Sequence, residues 1–158
     1  MATELGHITI LPDGPLCNCG QSGHLETFSS GPAIARHFLE KLTNGVKSSL
    51  KKTPLPTSKE IAAAALQGVE LSLSAFKRAG TYLGIAIANY LQIFNPTCVV
   101  LGGGVSITGD LLLEPTRKVV EQVILSKENL KGLTITKAKL GDNAGLIGAL
   151  VLIKINHL

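Results

Sequence analysis

Between Glu70 and Phe94 the apolar residues Leu73, Phe76, Gly80, Leu83, Ile87, Tyr90 and Phe94 recur every three or four positions. That is the period of one helix face, and it predicts a helix over 70–94. Further apolar residues off that stripe (Ile85, Ala86 and Ala88) predict that its second half is buried on most sides. Asn95-Pro96 then forces the chain out of helix. Cys98-Val99-Val100-Leu101 follows at once, a compact β-branched run of the kind buried in a parallel sheet, and Gly102-Gly103-Gly104 comes directly after it. A long helix feeding a short strand and a glycine turn leaves few architectures open.

The remaining elements agree with that reading. His7–Leu11 alternates as a short strand. Residues 26–42 read as helical, with Ser30 or Gly31 as an internal cap and Pro32 in a first turn. Residues 44–57 are polar, carry Pro54 and Pro56, and read as a surface loop. Ser58 is placed to cap an Ala-rich helix over 59–67 that Gly68 ends. Helix is expected again over 111–126 despite Pro115, strand over 133–137, and a closing apolar helix over 143–156. In that last helix Gly145 and Gly148 would allow close packing, and Asp142 stands where an N-cap belongs. Helix, strand, glycines, helix, strand, helix is an α/β order. No repeat or linker divides the chain, so residues 1–158 are expected to form a single domain.

Charge and composition exclude several classes. The net charge is +4, but the lysines are scattered apart from Lys47, Lys51, Lys52 and Lys59. Aromatics are 4% of the chain and none interleave with that cluster, so a base-stacking platform is missing and nucleic-acid binding is not expected. The lysines read as a solvated loop. The N-terminal residues have neither a basic nor an apolar leader segment. No apolar run reaches the roughly 18 residues of a membrane span, so residues 82–94 and 145–155 read instead as buried helices.

The chemistry concentrates near the N-terminus. His7, Cys17, Cys19 and His24 lie in the run GHITILPDGPLCNCGQSGHLE. Zn²⁺ takes four N and S ligands in closed structural sites, and these four are the right number and kind. Gly14, Pro15, Gly20 and Gly23 supply the turns that would bring them to one point. The one-residue gap between Cys17 and Cys19 is shorter than common zinc fingers use. The alternative is an unmetallated polar loop. With two of three Cys assigned to metal, the chain reads as cytoplasmic and free of disulfides. Cys98 is expected buried in its strand, and His37 and His157 at the surface.

Gly102–Gly104 permits two readings. Backbone without Cβ atoms lets a nucleotide approach closely, and a strand followed by glycines and a helix is a common setting for that. The same run also serves as a plain tight turn. Neither the Walker pattern nor GxGxxG is present.

The stretch ELGHITILPDGPLCNCGQSGHLE resembles the zinc-binding signature of the ROK family (repressors, open reading frames, sugar kinases). That signature runs E-x-G-H, then ten residues on from the His C-x-C-G-x-x-G-C, then x-E. Glu4, Gly6, His7, Cys17, Cys19, Gly20, Gly23 and Glu26 fall in register, while His24 replaces the last Cys. NPTCVVLGGGVS looks like the family's adenosine-side loop, and LGDNAGLIGAL looks like its closing helix.

The resemblance implies the C-terminal lobe of an actin-like ATPase (ribonuclease H-like) fold, with an inserted zinc-binding loop over 7–24. It implies sugar contacts from Glu4, His7 and Glu26, a structural Zn²⁺ on His7, Cys17, Cys19 and His24, and a nucleotide against Gly102, Gly103 and Gly104. The reaction it implies is glucokinase-like transfer of phosphate from ATP, with Mg²⁺, to a hexose hydroxyl. The family's DxGxT phosphate loop and catalytic Asp have no counterpart here, so no catalytic residue is expected in this segment, nor activity from it alone. A partner N-terminal lobe and homo-oligomers are implied as well. A sugar-sensing transcriptional regulator of the same family, or a stand-alone sugar-binding or dimerisation module, are the alternatives.

Overall fold

The computed structural model describes residues 3–51 and 54–156, with the backbone alone at Asp142 and Asn156. Lys52 of the basic cluster, His157 and the Asp142 side chain expected to cap the last helix lie outside what is described.

Among the described residues there are six α-helices and two strands. Helix α1 spans Glu26–Ser29, α2 Gly31–Thr43, α3 Ser58–Leu66, α4 Glu70–Phe94, α5 Asp110–Val123 and α6 Ala144–Asn156. Strands β1, Cys98–Leu101, and β2, Thr134–Lys137, pair in parallel, with Cys98 opposite Thr134 and Leu101 opposite Lys137. The chain passes between them through α5, the kind of crossover a parallel pair requires. Residues 7–11 form no strand. A 3₁₀ turn occupies Leu5–His7, and only an isolated bridge pairs Thr9 with His24.

Helix α4 organises the rest. Its first half packs on α2 and α3 around Phe38, Phe76, Ile34 and Ile61, all at most 1% exposed. Its second half places Ile87, Ala88 and Leu91 against Val120 and Ile135, under the sheet. Contact with α5 is close because α4 presents glycines there. A Cβ on Gly80 would lie 2.6 Å from the Pro115 ring, and one on Gly84 would lie 2.7 Å from the Thr116 carbonyl oxygen. The helix ends at Asn95 in a left-handed conformation, φ 45°, directly before Pro96.

Ser30 caps α2, accepting from the Ala33 amide at 3.3 Å, with Pro32 in the first turn. For α3 the cap is Thr57, not Ser58. Glu60 stands three residues beyond Thr57, so the two cap reciprocally: the Thr57 amide donates to Glu60 Oε2 (2.7 Å), and the Glu60 amide to Thr57 Oγ1 (3.3 Å). That hydrogen bond from the Thr57 amide holds the Glu60 carboxyl below its usual pKa.

Four burial expectations are corrected. Cys98 is exposed, and Val100 is 58% exposed, because α4 and α5 cover only one face of the two-stranded sheet. Helix α6 is exposed at nearly every described position, Ile147 alone among them being half-buried, with Leu146, Leu152 and Ile155 above 60%. Its main contacts are with the turn just before it, and a Cβ on Gly145 or Gly148 would meet nothing within 4 Å. Those glycines therefore pack against nothing described. At the end of α4, Ile93 and Phe94 are likewise 70% and 62% exposed. His37 is half-buried rather than at the surface, and burial together with the nearby Arg78 charge lowers its pKa.

Candidate functional site

The loop between the Leu5–His7 turn and α1 is folded by its own backbone. Gly23 donates to the Pro15 carbonyl (2.9 Å), and its own carbonyl accepts from Ile10 (2.8 Å). The Cys17 amide donates to Gln21 (2.7 Å), and the Gly20 amide to Cys17 (3.0 Å). Gly20 and Gly23 take positive φ, 92° and 74°, which L side chains rarely adopt. The result draws His7, Cys17, Cys19 and His24 together, with one ligand atom of each within 4.8 Å of the others.

Tetrahedral zinc with S and N ligands needs donor separations of about 3.3–3.8 Å. His24 Nδ1 already lies 3.3 Å from Cys19 Sγ, and an inward shift of about an ångström by the others would bring all four to that spacing. Cys17 and His24 are buried, at 3% and 5% exposure, while Cys19 is exposed. Two soft thiols and two imidazoles are a donor set that fits Zn²⁺.

Two carboxylates flank the cluster. His7 Nδ1–H donates to Glu4 Oε2 (3.2 Å), and His7 Nε2 lies 3.7 Å from Glu26 Oε2. The other Glu26 oxygen accepts from the Cys17 thiol (2.8 Å). The Cys19 amide draws the Cys17 thiol toward ionisation, but the Glu26 carboxylate, burial and the Cys19 thiol prevail, and its pKa is pushed up to about 11. Glu4, His7 and Glu26 thus meet on one face, with both glutamates reaching water.

Gly102–Gly104 forms an open turn. All three glycines are exposed, Gly103 has φ 87°, and a Cβ at any of them would meet nothing within 4 Å. Gly104 borders a groove of about 450 Å³ whose other walls are Lys59, Ala62, Ala63, Leu66, Ile107 and Thr108. The sequence reading missed those α3 residues. Their one signal is that Leu66 breaks an otherwise small-residue run and is left 78% exposed. No helix among the described residues is long and apolar enough to cross a membrane.

The ROK family model matches residues 1–156. Glucokinase of Halalkalibacterium halodurans is 40% identical over 98% of this chain, which covers 48% of that protein. The xylose repressor of Caldicellulosiruptor bescii is 33% identical over 96% of this chain and 39% of its own length. A crystal structure of a ROK family glucokinase from Streptomyces griseus in complex with glucose and AMPPNP superposes with a TM-score of 0.85. It is 31% identical, over 96% of this chain and 51% of that one. These likenesses assign the α/β, actin-like kinase-type fold. The chain spans about half the length of the glucokinases it matches.

Proposed function

Because the chain belongs to the ROK family, we propose that it is the C-terminal lobe of an ATP-dependent hexose kinase of the glucokinase type, binding sugar and zinc. The observation that carries this reading is the His7 imidazole held between the Glu4 and Glu26 carboxylates at the rim of the Cys/His cluster. Carboxylates accept the hydroxyl protons of a sugar, and an imidazole fixed on one nitrogen presents the other in a set direction. His7, Cys17, Cys19 and His24 would hold Zn²⁺, which would fix the loop and take no part in phosphoryl transfer.

The groove beside Gly104 suits a nucleotide. Ala62, Leu66 and Ile107 offer apolar walls to a flat base, the glycine backbone permits close approach, and Lys59 adds a cation at the rim. Transfer of the ATP γ-phosphoryl group, with Mg²⁺, to a sugar hydroxyl also needs a base and a phosphate loop, which the family resemblance assigns to the other lobe. This chain alone is therefore expected not to turn over, and to bind sugar weakly or not at all. The other lobe would also cover the bare apolar surface of α6. Free thiols and ATP suit a reducing cytoplasm, and the family resemblance adds homo-oligomers.

A sugar-sensing regulator is the second reading, favoured by the likeness to the xylose repressor. Co-expression of this chain with the N-terminal half of the H. halodurans glucokinase, followed by a coupled ATP–glucose assay, separates the two. Sugar phosphorylation by the pair, absent from either half and abolished by Glu26→Ala, supports the kinase. Sugar binding by the pair with no turnover on any hexose points to the regulator. Turnover by this chain alone would show the active site to be misplaced.

A further inference from the structure

The two sides of the site are anchored to α4 by different means. The metal loop and α1 are held by packing and by several bonds. Phe28 is 1% exposed and stacks on Tyr82 with ring centroids 4.1 Å apart, while Arg78 lies 5.2 Å over the Phe28 ring. The Phe28 ring end also fills the space a Cβ would take on Gly14. Ser29 Oγ donates to the Ala79 carbonyl (2.8 Å).

Apart from the metal bond proposed for His7, the turn that carries Glu4 and His7 has nothing comparable. None of Leu5–His7 is buried. Within the turn the His7 amide donates to the Glu4 carbonyl (3.0 Å). Beyond it, the Leu25 amide donates to the Ile8 carbonyl (3.0 Å), which secures only the C-terminal side of His7. On the other side, the hydroxyl of Tyr90 donates to the Leu5 carbonyl, across 85 residues of sequence. The Tyr90 ring itself is half-buried against the sheet-side core that contains Ile87 and Leu91, so the hydroxyl is carried on a packed side chain.

We infer that Tyr90 is a positioning residue for the sugar-binding turn: its hydroxyl fixes the Leu5 backbone and so sets Glu4 and His7 relative to Glu26. The functional half of this inference rests on the reading of Glu4 and His7 as sugar contacts. The anchoring half does not. Burial raises the pKa of the phenol, so it remains a protonated donor throughout the neutral range.

The test is Tyr90→Phe in the zinc-supplemented chain, followed by hydrogen exchange. Exchange over residues 4–8 is expected to quicken about fivefold, the loss of one hydrogen bond. Residues 16–28 should exchange as before, and bound zinc should stay at the wild-type level. Ile87→Val, which softens the same core but keeps the hydroxyl, should not single out residues 4–8. In the two-lobed pair described above, Tyr90→Phe should raise the KM for glucose about fivefold and leave the KM for ATP and kcat unchanged. Unaltered exchange over 4–8, or a rise spread evenly through α4 and 16–28, would overturn the anchoring. A raised exchange rate with an unaltered glucose KM would overturn the link to sugar. The exchange arm needs neither sugar nor nucleotide, so its failure is separable from failure of the kinase reading.

Discussion

Gly23→Ala is the substitution that most sharply tests how the metal loop is built. Gly23 has φ 74°, and a Cβ there would lie 1.6 Å from the Leu11 carbonyl oxygen and 2.6 Å from its carbon. Both are backbone atoms, so no side-chain rotation relieves the clash. The left-handed conformation costs about 1–2 kcal/mol for an L residue. Opening the loop to admit the methyl breaks the bonds to Ile10, Leu11 and Pro15, each contributing about 0.5–1.5 kcal/mol. The sum is roughly 3–6 kcal/mol, and His24 is the next residue. At about 1.4 kcal/mol per factor of ten, zinc affinity should fall at least a hundredfold. Gly20→Ala is the control. Gly20 also has positive φ, but nothing lies within 4 Å of its Cβ position, so only the conformational cost applies and affinity should fall about tenfold. Competition against a chromogenic chelator measures both. A Gly23→Ala chain that holds zinc as tightly as Gly20→Ala would show that the Leu11–Gly23 approach does not set the ligand geometry.

Other consequences follow from the same structure. Cys19→Ser should release the metal and loosen residues 12–25; metal analysis finding under about a tenth of an equivalent in the wild-type chain, purified without chelator, would refute the site itself. His37 has a folded-state pKa below its unfolded value, so its contribution to stability is complete above about pH 6.5 and is lost as pH falls through the folded value. His37→Gln should accordingly flatten the loss of Tm between pH 7.5 and 5, and an unchanged profile would count against burial of that imidazole. The bare face of α6 should drive self-association of the chain, seen by light scattering over a hundredfold concentration range, and Leu150→Glu with Leu152→Glu should suppress it. A monodisperse wild-type monomer that binds no hydrophobic dye would show α6 to be self-sufficient.

Local order was legible along the chain. The apolar stripe and the Asn-Pro stop define α4 because helix period and backbone sterics act within a few residues. The pairing of His7 with the loop cysteines could be anticipated for a similar reason: glycine positions decide how so short a loop must turn. Capping was read one residue late at α3, since Thr57 and Ser58 are chemically alike and only the reach of Glu60 distinguishes them. Tertiary structure decided the rest. Apolar composition marked α6 and β1 as buried, yet burial depends on which face arrives opposite, and no window of sequence contains that face. His37 was read as exposed for the converse reason, because a polar residue in mid-helix takes its surroundings from the helices packed beside it. The groove at Gly104 unites α3 with a turn some forty residues later, and the Tyr90 hydroxyl meets Leu5 across 85 residues. Contacts at such separations leave no periodic trace, because they arise from how whole elements pack and not from how neighbouring residues turn.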